Sequence, residues 1–157
     1  MDNAKTIEAL NSLIVINNDR VEGYKTASEE AKETDLKMLF SELIQTSLDA
    51  RKDLLAEVKN LGGVPDEGTR VTGKFFRVWM DVKAALTGSD RETILDSCVY
   101  GEQVALDAYK KVLIQDHQDT SSLEQQMLNK HYAHLKADHD RVKQLRDLMV
   151  EEKKLTE

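Results

Sequence analysis

The sequence is poor in cysteine, proline, glycine and aromatic residues. Of its 157 residues one is cysteine, one is proline and seven are glycine, and aromatic residues make up 5%. A single cysteine, Cys98, excludes an internal disulfide framework and a cysteine-rich zinc module. The shortage of proline and glycine argues against a β-sandwich or a collagen-like repeat. What remains is dominated by Leu, Ala, Glu, Lys and Asp, which is the composition of a helical bundle.

Long apolar runs and a basic surface are also missing. No apolar run approaches the roughly 20 residues that a bilayer span needs. The formal net charge of −7 disfavours binding to nucleic acid, which requires a basic surface. The amino-terminal stretch is amphipathic and has no apolar signal core. With 40% hydrophobic residues there is material for one core, so we expect a single cytoplasmic domain over residues 1–157 with neither membrane nor nucleic acid as partner.

Apolar residues recur every three or four positions through most of the chain, which predicts amphipathic helices. The predicted helices cover about residues 4–32, 35–61, 73–87, 90–115 and 121–152. Gly62-Gly63 ends the second helix, and capping boxes at Ser89–Glu92 and Ser121–Glu124 begin the last two. Two short links and one long crossover predict an all-α, ferritin-like antiparallel four-helix bundle, with a short extra helix in the crossover.

Polar residues interrupt the apolar stripes of the four long helices. Functional sites in such bundles are built from side chains that point inward from facing helices, so these residues are the candidates. They are Asn17 and Tyr24 in the first helix, Ser47 and Arg51 in the second, Glu102 and Tyr109 in the third, and His131 with either Asp138 or His139 in the fourth. Counting along the helices places Asn17, Ser47, Glu102 and His131 at about one level of the bundle.

Glu102 is the most costly of these residues to bury, because an ionised carboxylate inside a bundle must be paired or bound. Three solutions are open. Arg51 could form a buried ion pair with it, His131 or His134 could hydrogen-bond to it, or a metal ion could bind both Glu102 and a histidine. The first solution is structural, and the last would make the protein a metalloprotein.

A divalent metal site, if present, would use Glu102 with His131, His134 and His139. His131 and His134 are three residues apart and share a helix face, and His139 lies about two turns beyond His131. However, di-iron bundles ordinarily use two Glu-x-x-His pairs, and this sequence contains none. The cofactor therefore stays undetermined between none and a divalent metal ion.

Most of the large aromatic residues lie in the crossover. Phe75, Phe76 and Trp79 share one stripe of the short predicted helix. This stripe either covers one end of the core or forms a homodimer contact through the Phe75–Trp79 helix.

Four stretches of the chain resemble a bacterial ferritin-like four-helix-bundle family of unknown function (domain of unknown function 2383). The stretches are LNSLIVINNDRVEGYKTA, LLAEVKNLGGVPDEGT, FFRVWMDVKAAL, and YGEQVALDAYKKVL with HDRVKQLRD. They span residues 10 to about 147 in the family's order. The resemblance implies a compact helical bundle of the ferritin-like group, and it favours Tyr24, Glu102, Tyr109 and His139 as positions that the family keeps. It implies no reaction, because the family has none assigned.

The sequence favours a non-enzymatic function over catalysis. We expect a small structural or interaction protein, with a stress response as the suggested setting, because its polar band is too poor in carboxylates for a di-iron centre. The alternative is a degenerate metal-binding protein or oxidase that uses Glu102 and the histidines of the last helix, supported by Glu42 and Tyr24.

Overall fold

The computed structural model of the chain describes residues 3–68, 84 and 91–156. These residues form four α-helices and one turn of 3₁₀ helix, and no strand is present among them. The helices are α1 (Asn3–Glu30), α2 (Thr34–Asn60), α3 (Arg91–Gln115) and α4 (Ser122–Thr156), and the 3₁₀ turn is His117–Asp119. The prediction of an all-α helical bundle is confirmed, and each bound of these helices differs from the predicted one by four residues at most.

Contacts between helices fix their directions. On α1 and α3, Asn17 pairs with Tyr109 and Arg20 with Glu102, so these helices are antiparallel. On α2 and α4, Asp53 pairs with His131, and Glu42 with Arg141, which makes this pair antiparallel too. Short links join α1 to α2 and α3 to α4 as hairpins, so α2 and α3 run in the same direction. The end of α2 and the start of α3 therefore lie at opposite ends of the bundle, and the return between them begins with the described residues 61–68.

The beginning of this return follows α1. Gly63 packs against the side chain of Ile7, and the amide nitrogen of Asp66 donates to Asn11 Oδ1 over 2.8 Å. Further on, Asn18 Nδ2 donates to the carbonyl of Gly68 over 2.9 Å. The five steps from Gly63 to Gly68 thus cover the same distance as the eleven steps from Ile7 to Asn18 on α1. This requires extended backbone, because a helix rises about 1.5 Å per residue and an extended chain about 3.3 Å.

The buried apolar residues form two clusters, one toward each end of the bundle. One cluster surrounds Tyr24 and Phe40, whose rings stack with their centroids 5.6 Å apart. The other surrounds Leu54 and Tyr109. Between the clusters α1 is buried on all sides, since residues 13–21 are all shielded from solvent. This part of α1 carries the polar residues of the interior.

The predicted start of α4 is confirmed. The amide of Ser121 donates to Glu124 Oε1 over 2.7 Å, and the amide of Glu124 donates to Ser121 Oγ over 3.1 Å. This reciprocal pair satisfies two amides that a helix start would otherwise leave without partners.

Other predictions concern residues outside the described ones. They are the helix over 73–87, of which Ala84 alone is described and is helical, the capping box at Ser89–Glu92, and the aromatic stripe of Phe75, Phe76 and Trp79. The homodimer contact through the Phe75–Trp79 helix stays a prediction for the same reason. Among the described helices, none is long and apolar enough to cross a bilayer.

Gly62 offers a test of how α2 ends. Its φ is +84°, and the amides of Gly62 and Gly63 donate to the carbonyls of Lys59 and Val58, which is the Schellman arrangement. We expect Gly62→Ala to lower the free energy of unfolding by about 1 kcal/mol, because left-handed backbone costs a residue with a Cβ about that much. Urea denaturation measures the loss. Gly62→Asn is the matched control and should lose less, and equal losses would contradict this explanation.

Candidate functional site

A fully buried ion pair lies at the centre of the bundle. Arg20 Nη2 on α1 is 2.7 Å from Glu102 Oε1 and 2.9 Å from Glu102 Oε2 on α3. The two side chains are 1% and 0% exposed. Burial by itself lowers the pKa of Arg20, but the charges of Glu102 and Asp138 outweigh it and raise the pKa above its ordinary value. Arg20 therefore stays a cation inside the protein.

The partner of Glu102 is Arg20 and not Arg51, so that sequence hypothesis was wrong in its residue. Arg51 is half-buried and donates from Nη1 to Asn18 Oδ1 over 3.1 Å. Arg20 had the better sequence signal, because it lies on the inward stripe three residues after Asn17 and four before Tyr24. Arg20 was not among the predicted candidates, and a charged residue on a helix is usually on the surface.

Four further groups complete the surroundings of Arg20 and Glu102. Tyr24 Oη donates to Glu102 Oε1 over 2.5 Å, and the Tyr24 ring centroid lies 5.6 Å from the Arg20 guanidinium carbon. Arg20 Nη1 donates to Ser47 Oγ and to the carbonyl of Leu43 on α2. Arg20 Nη2 also reaches Asp138 Oδ2 on α4 at 3.4 Å. We call Arg20, Tyr24, Ser47, Glu102 and Asp138 the carboxylate cluster, and its members come from all four helices.

Asp138 connects the carboxylate cluster to the surface. Its side chain is 17% exposed, and burial raises its pKa although Arg20 acts in the opposite direction. The inward residue at this position of α4 is thus Asp138, while His139 lies beside it with Nδ1 3.0 Å from Asp140 Oδ1. One guanidinium thus faces two carboxylates, of which Asp138 is the more exposed.

A second set of hydrogen bonds lies toward the other end of the bundle, near the apolar cluster around Leu54 and Tyr109. Asn17 Nδ2 donates to Tyr109 Oη over 3.0 Å, and Tyr109 Oη is 3.2 Å from His131 Nδ1. His131 Nε2 in turn is 2.9 Å from Asp53 Oδ2, which also accepts from Lys130 over 3.2 Å. Because Tyr109 accepts from Asn17, its own proton goes to His131 Nδ1, and His131 Nε2–H donates to Asp53. We call Asn17, Tyr109, His131 and Asp53 the histidine relay.

The ionisation of the histidine relay follows from its depth. His131 is 2% exposed, and burial lowers its pKa more than the hydrogen bond to Asp53 raises it. Asp53 is 36% exposed; burial raises its pKa, but the hydrogen bonds from His131 and Lys130 outweigh burial and lower it. The relay thus contains a neutral imidazole that donates to a surface carboxylate. Asp53 was not among the predicted site residues, because the sequence around it has the pattern of an ordinary polar helix face.

The structure does not bring the predicted metal ligands together. Glu102 belongs to the carboxylate cluster and His131 to the histidine relay, while His134 is exposed and His139 contacts Asp140. The register of α3 explains the separation, because Asn17 faces Tyr109 and not Glu102, seven residues or about 10 Å away. Among the described residues no group of three or more His, Cys, Asp or Glu is arranged to hold a metal ion.

The reactive side chains of the interior are held in their protonated forms. Burial raises the pKa of the Cys98 thiol, and the nearby Glu102 charge raises it further. Burial likewise raises the pKa values of Tyr24 and Tyr109. A surface groove of about 840 Å³ lies along α1 and α3, and its lining includes Lys5, Lys111 and Asp116 but neither Arg20 nor Glu102. At neutral pH the Cys98 thiol and the Tyr24 and Tyr109 hydroxyls are therefore protonated.

A family model described as Domain of unknown function (DUF2383) matches residues 5–115, more than two thirds of the chain. The chain belongs to this family. No curated protein matches the chain.

The DUF2383 match covers nearly all the described residues from the start of α1 to the end of α3. The match therefore includes Arg20, Tyr24, Ser47 and Glu102. Residues of α4 lie beyond it, so the contributions of Asp138 and His131 come from outside the matched region. The ion pair at the centre of the bundle is thus formed wholly within the DUF2383 region.

A double-mutant cycle tests the buried pair. We expect Arg20→Met and Glu102→Gln each to lower the free energy of unfolding by about 3–5 kcal/mol, since each leaves a buried group without its partner. The double variant should lose much less than the sum of the two. Urea denaturation at pH 7 measures all three.

Arg51→Met is the control for the cycle, because Arg51 is half-buried and, among the described residues, its side chain bonds to Asn18. It should lose less than about 1 kcal/mol. Strictly additive losses at positions 20 and 102, or a loss at Arg51 as large as at Arg20, would contradict the assignment of the pair.

The pH dependence of stability tests the histidine relay. An unfolded chain takes up a proton on His131 near pH 6.5, whereas the folded protein, with its lowered pKa for His131, takes it up only at a more acidic pH. The unfolded state therefore binds more protons below about pH 6.5, and stability falls as pH falls, by at most about 1.4 kcal/mol per pH unit.

Urea denaturation at several pH values between 5 and 7.5 measures this slope. His131→Gln should flatten it, and His134→Gln, at an exposed position of the same helix, should retain it. A slope that is the same in the wild type and in His131→Gln would assign the pH dependence to other groups.

Proposed function

We propose that this protein is a non-catalytic helical bundle of the ferritin-like group that serves as a structural or interaction protein. The observation that carries the proposal is the position of Arg20. Its guanidinium lies between the carboxylates of Glu102 and Asp138, which come from α3 and α4. The cation at the centre of this bundle is a side chain of the chain itself.

The connectivity supports the ferritin-like part of the proposal. Two antiparallel hairpins, α1 with α2 and α3 with α4, are arranged so that α2 and α3 run in the same direction. This arrangement requires one long crossover, which is the feature that separates ferritin-like bundles from simple up-and-down bundles.

The charge balance of the carboxylate cluster supports the non-catalytic part. Arg20 contributes one positive charge and satisfies both oxygens of Glu102, and it reaches Asp138 as well. A metal ion at this place would have to displace a guanidinium that already makes charge-assisted hydrogen bonds. Replacing a fixed cation by a hydrated one would also require desolvating the metal in a fully buried position.

The burial of the cluster argues in the same direction. A substrate would have to reach Glu102 and Tyr24, which are both 0% exposed. Asp138, at 17% exposure, is the most exposed member of the carboxylate cluster and lies at its edge. Such a network specifies how four helices fit together, which is the attested use of buried polar groups in bundles. A stress-response setting and a cytoplasmic location stay predictions.

Metal content decides between this proposal and the metal-binding alternative. Protein purified without a histidine tag is incubated anaerobically with ferrous iron, or with manganese or zinc, then desalted and analysed by elemental mass spectrometry. We expect metal only at trace level and a melting temperature that the metals do not change, because the Arg20 guanidinium already occupies the position between the carboxylates of Glu102 and Asp138.

Glu102→Gln and His134→Gln separate an interior site from surface chelation. Near-stoichiometric metal that is lost in Glu102→Gln would overturn the proposal and favour a degenerate metalloprotein or oxidase. Metal that is lost only in His134→Gln would reflect binding at the surface of α4, and the interior would keep its structural role.

A further inference from the structure

Two buried polar atoms at the centre of the bundle have no hydrogen-bond partner among the described residues. They are Asn17 Oδ1 and Arg20 Nε. The other polar atoms of the same side chains are bonded: Asn17 Nδ2 donates to Tyr109 and to the carbonyl of Leu13, and both terminal nitrogens of Arg20 have acceptors. Buried groups of this kind are nearly always satisfied in native proteins, by protein or by bound water.

The side chains that carry these atoms are neighbours on one face of α1. Residues 17 and 20 are three positions apart, which places their side chains beside each other on the helix. Asn17 belongs to the histidine relay and Arg20 to the carboxylate cluster. The unpartnered acceptor and the unpartnered donor therefore lie between the two sets.

The shape of the guanidinium brings a third group into reach. In a planar guanidinium the Nε–H and the Nη2 group share one edge. Nη2 of Arg20 bonds to both carboxylate oxygens of Glu102. An acceptor bound to Nε–H therefore lies next to the Nη2 group that contacts Glu102, and each oxygen of that carboxylate can accept more than one hydrogen bond.

Small side chains occupy the layer between the two sets. Ala50 on α2 lies three residues after Ser47, and Ala105 on α3 lies three residues after Glu102. Both are buried, at 2% and 0% exposure. At the level of Ala50 and Ala105, α2 and α3 thus each present only a methyl group to the interior. One turn away on the same helices the interior residues are larger or polar, namely Ser47, Glu102 and Tyr109.

We propose that Asn17 and Arg20 hold one internal water molecule at this level. The water accepts a hydrogen bond from Arg20 Nε–H and donates one to Asn17 Oδ1 and one to Glu102. Three hydrogen bonds are the usual number for a buried water. Water is the species that fits one donor and two acceptors: the Nε–H repels a metal cation, and the two oxygens repel an anion.

This water joins the two sets into one network. Hydrogen bonds then run from Asp138 at one surface through Arg20, the water and Asn17 to Tyr109, His131 and finally Asp53. The site goes beyond the proposed structural function, because it exists whether or not the protein has a catalytic or interaction role.

Nuclear magnetic resonance of the wild-type protein tests the site directly. A bound water gives cross-peaks to the Arg20 Nε–H proton that have opposite signs in NOESY and ROESY spectra, whereas proton exchange gives the same sign in both. We expect cross-peaks of opposite sign in the wild type. Their absence from the wild type, or exchange peaks alone, would overturn the proposal.

Ala105→Val supplies the matched variant, since its two added methyl groups fill the layer that the water occupies. It should lose the water cross-peak to Arg20. Ala27→Val, at an equally buried alanine in the apolar cluster around Phe40, should retain it. If Ala105→Val does not fold, a high-resolution crystal structure of the wild type decides: density for water within hydrogen-bond distance of both atoms supports the site, and a protein group bonded to Nε contradicts it.

Discussion

The bundle is organised around the buried contact between Arg20 and Glu102. Two opposite charges without solvent are stable only when their remaining hydrogen-bonding capacity is satisfied, and here Tyr24, Ser47 and Asp138 provide the partners. This requirement fixes the rotation of α1, because Arg20 must point to the centre. It also fixes the register of α3, because Glu102 must lie opposite. The apolar clusters at the two ends then pack around helices whose relative positions are already specified.

Much of the fold was accessible from the sequence, and the reason is local. Helices α1 to α4 follow from apolar spacing, and the start of α4 follows from Ser121 and Glu124, whose reciprocal bonds involve residues three apart. The link between α1 and α2 follows from its length. Such features depend on neighbours along the chain, so a single sequence contains the information for them.

The candidate site was less accessible, because it depends on how far one helix is shifted along another. The sequence identified Glu102, Tyr24 and Ser47 as inward polar residues and left the choice between Asp138 and His139 open, but it paired Glu102 with the level of Asn17. The actual register places Asn17 against Tyr109 and Arg20 against Glu102. Arg20 was overlooked since a long cationic side chain on a helix normally reaches solvent, and only the three-dimensional packing around residues 13–21 prevents that.

The composition of the carboxylate cluster, with members from all four helices, bears on the order of folding. A hairpin of α1 and α2 alone supplies Arg20 and Ser47 but lacks both carboxylates, and a hairpin of α3 and α4 alone supplies Glu102 and Asp138 without a cation. Neither hairpin can exclude water from its own charged groups until the other hairpin packs against it. Exclusion of water from the centre therefore requires both hairpins together, and the buried charges link the stability of one hairpin to that of the other.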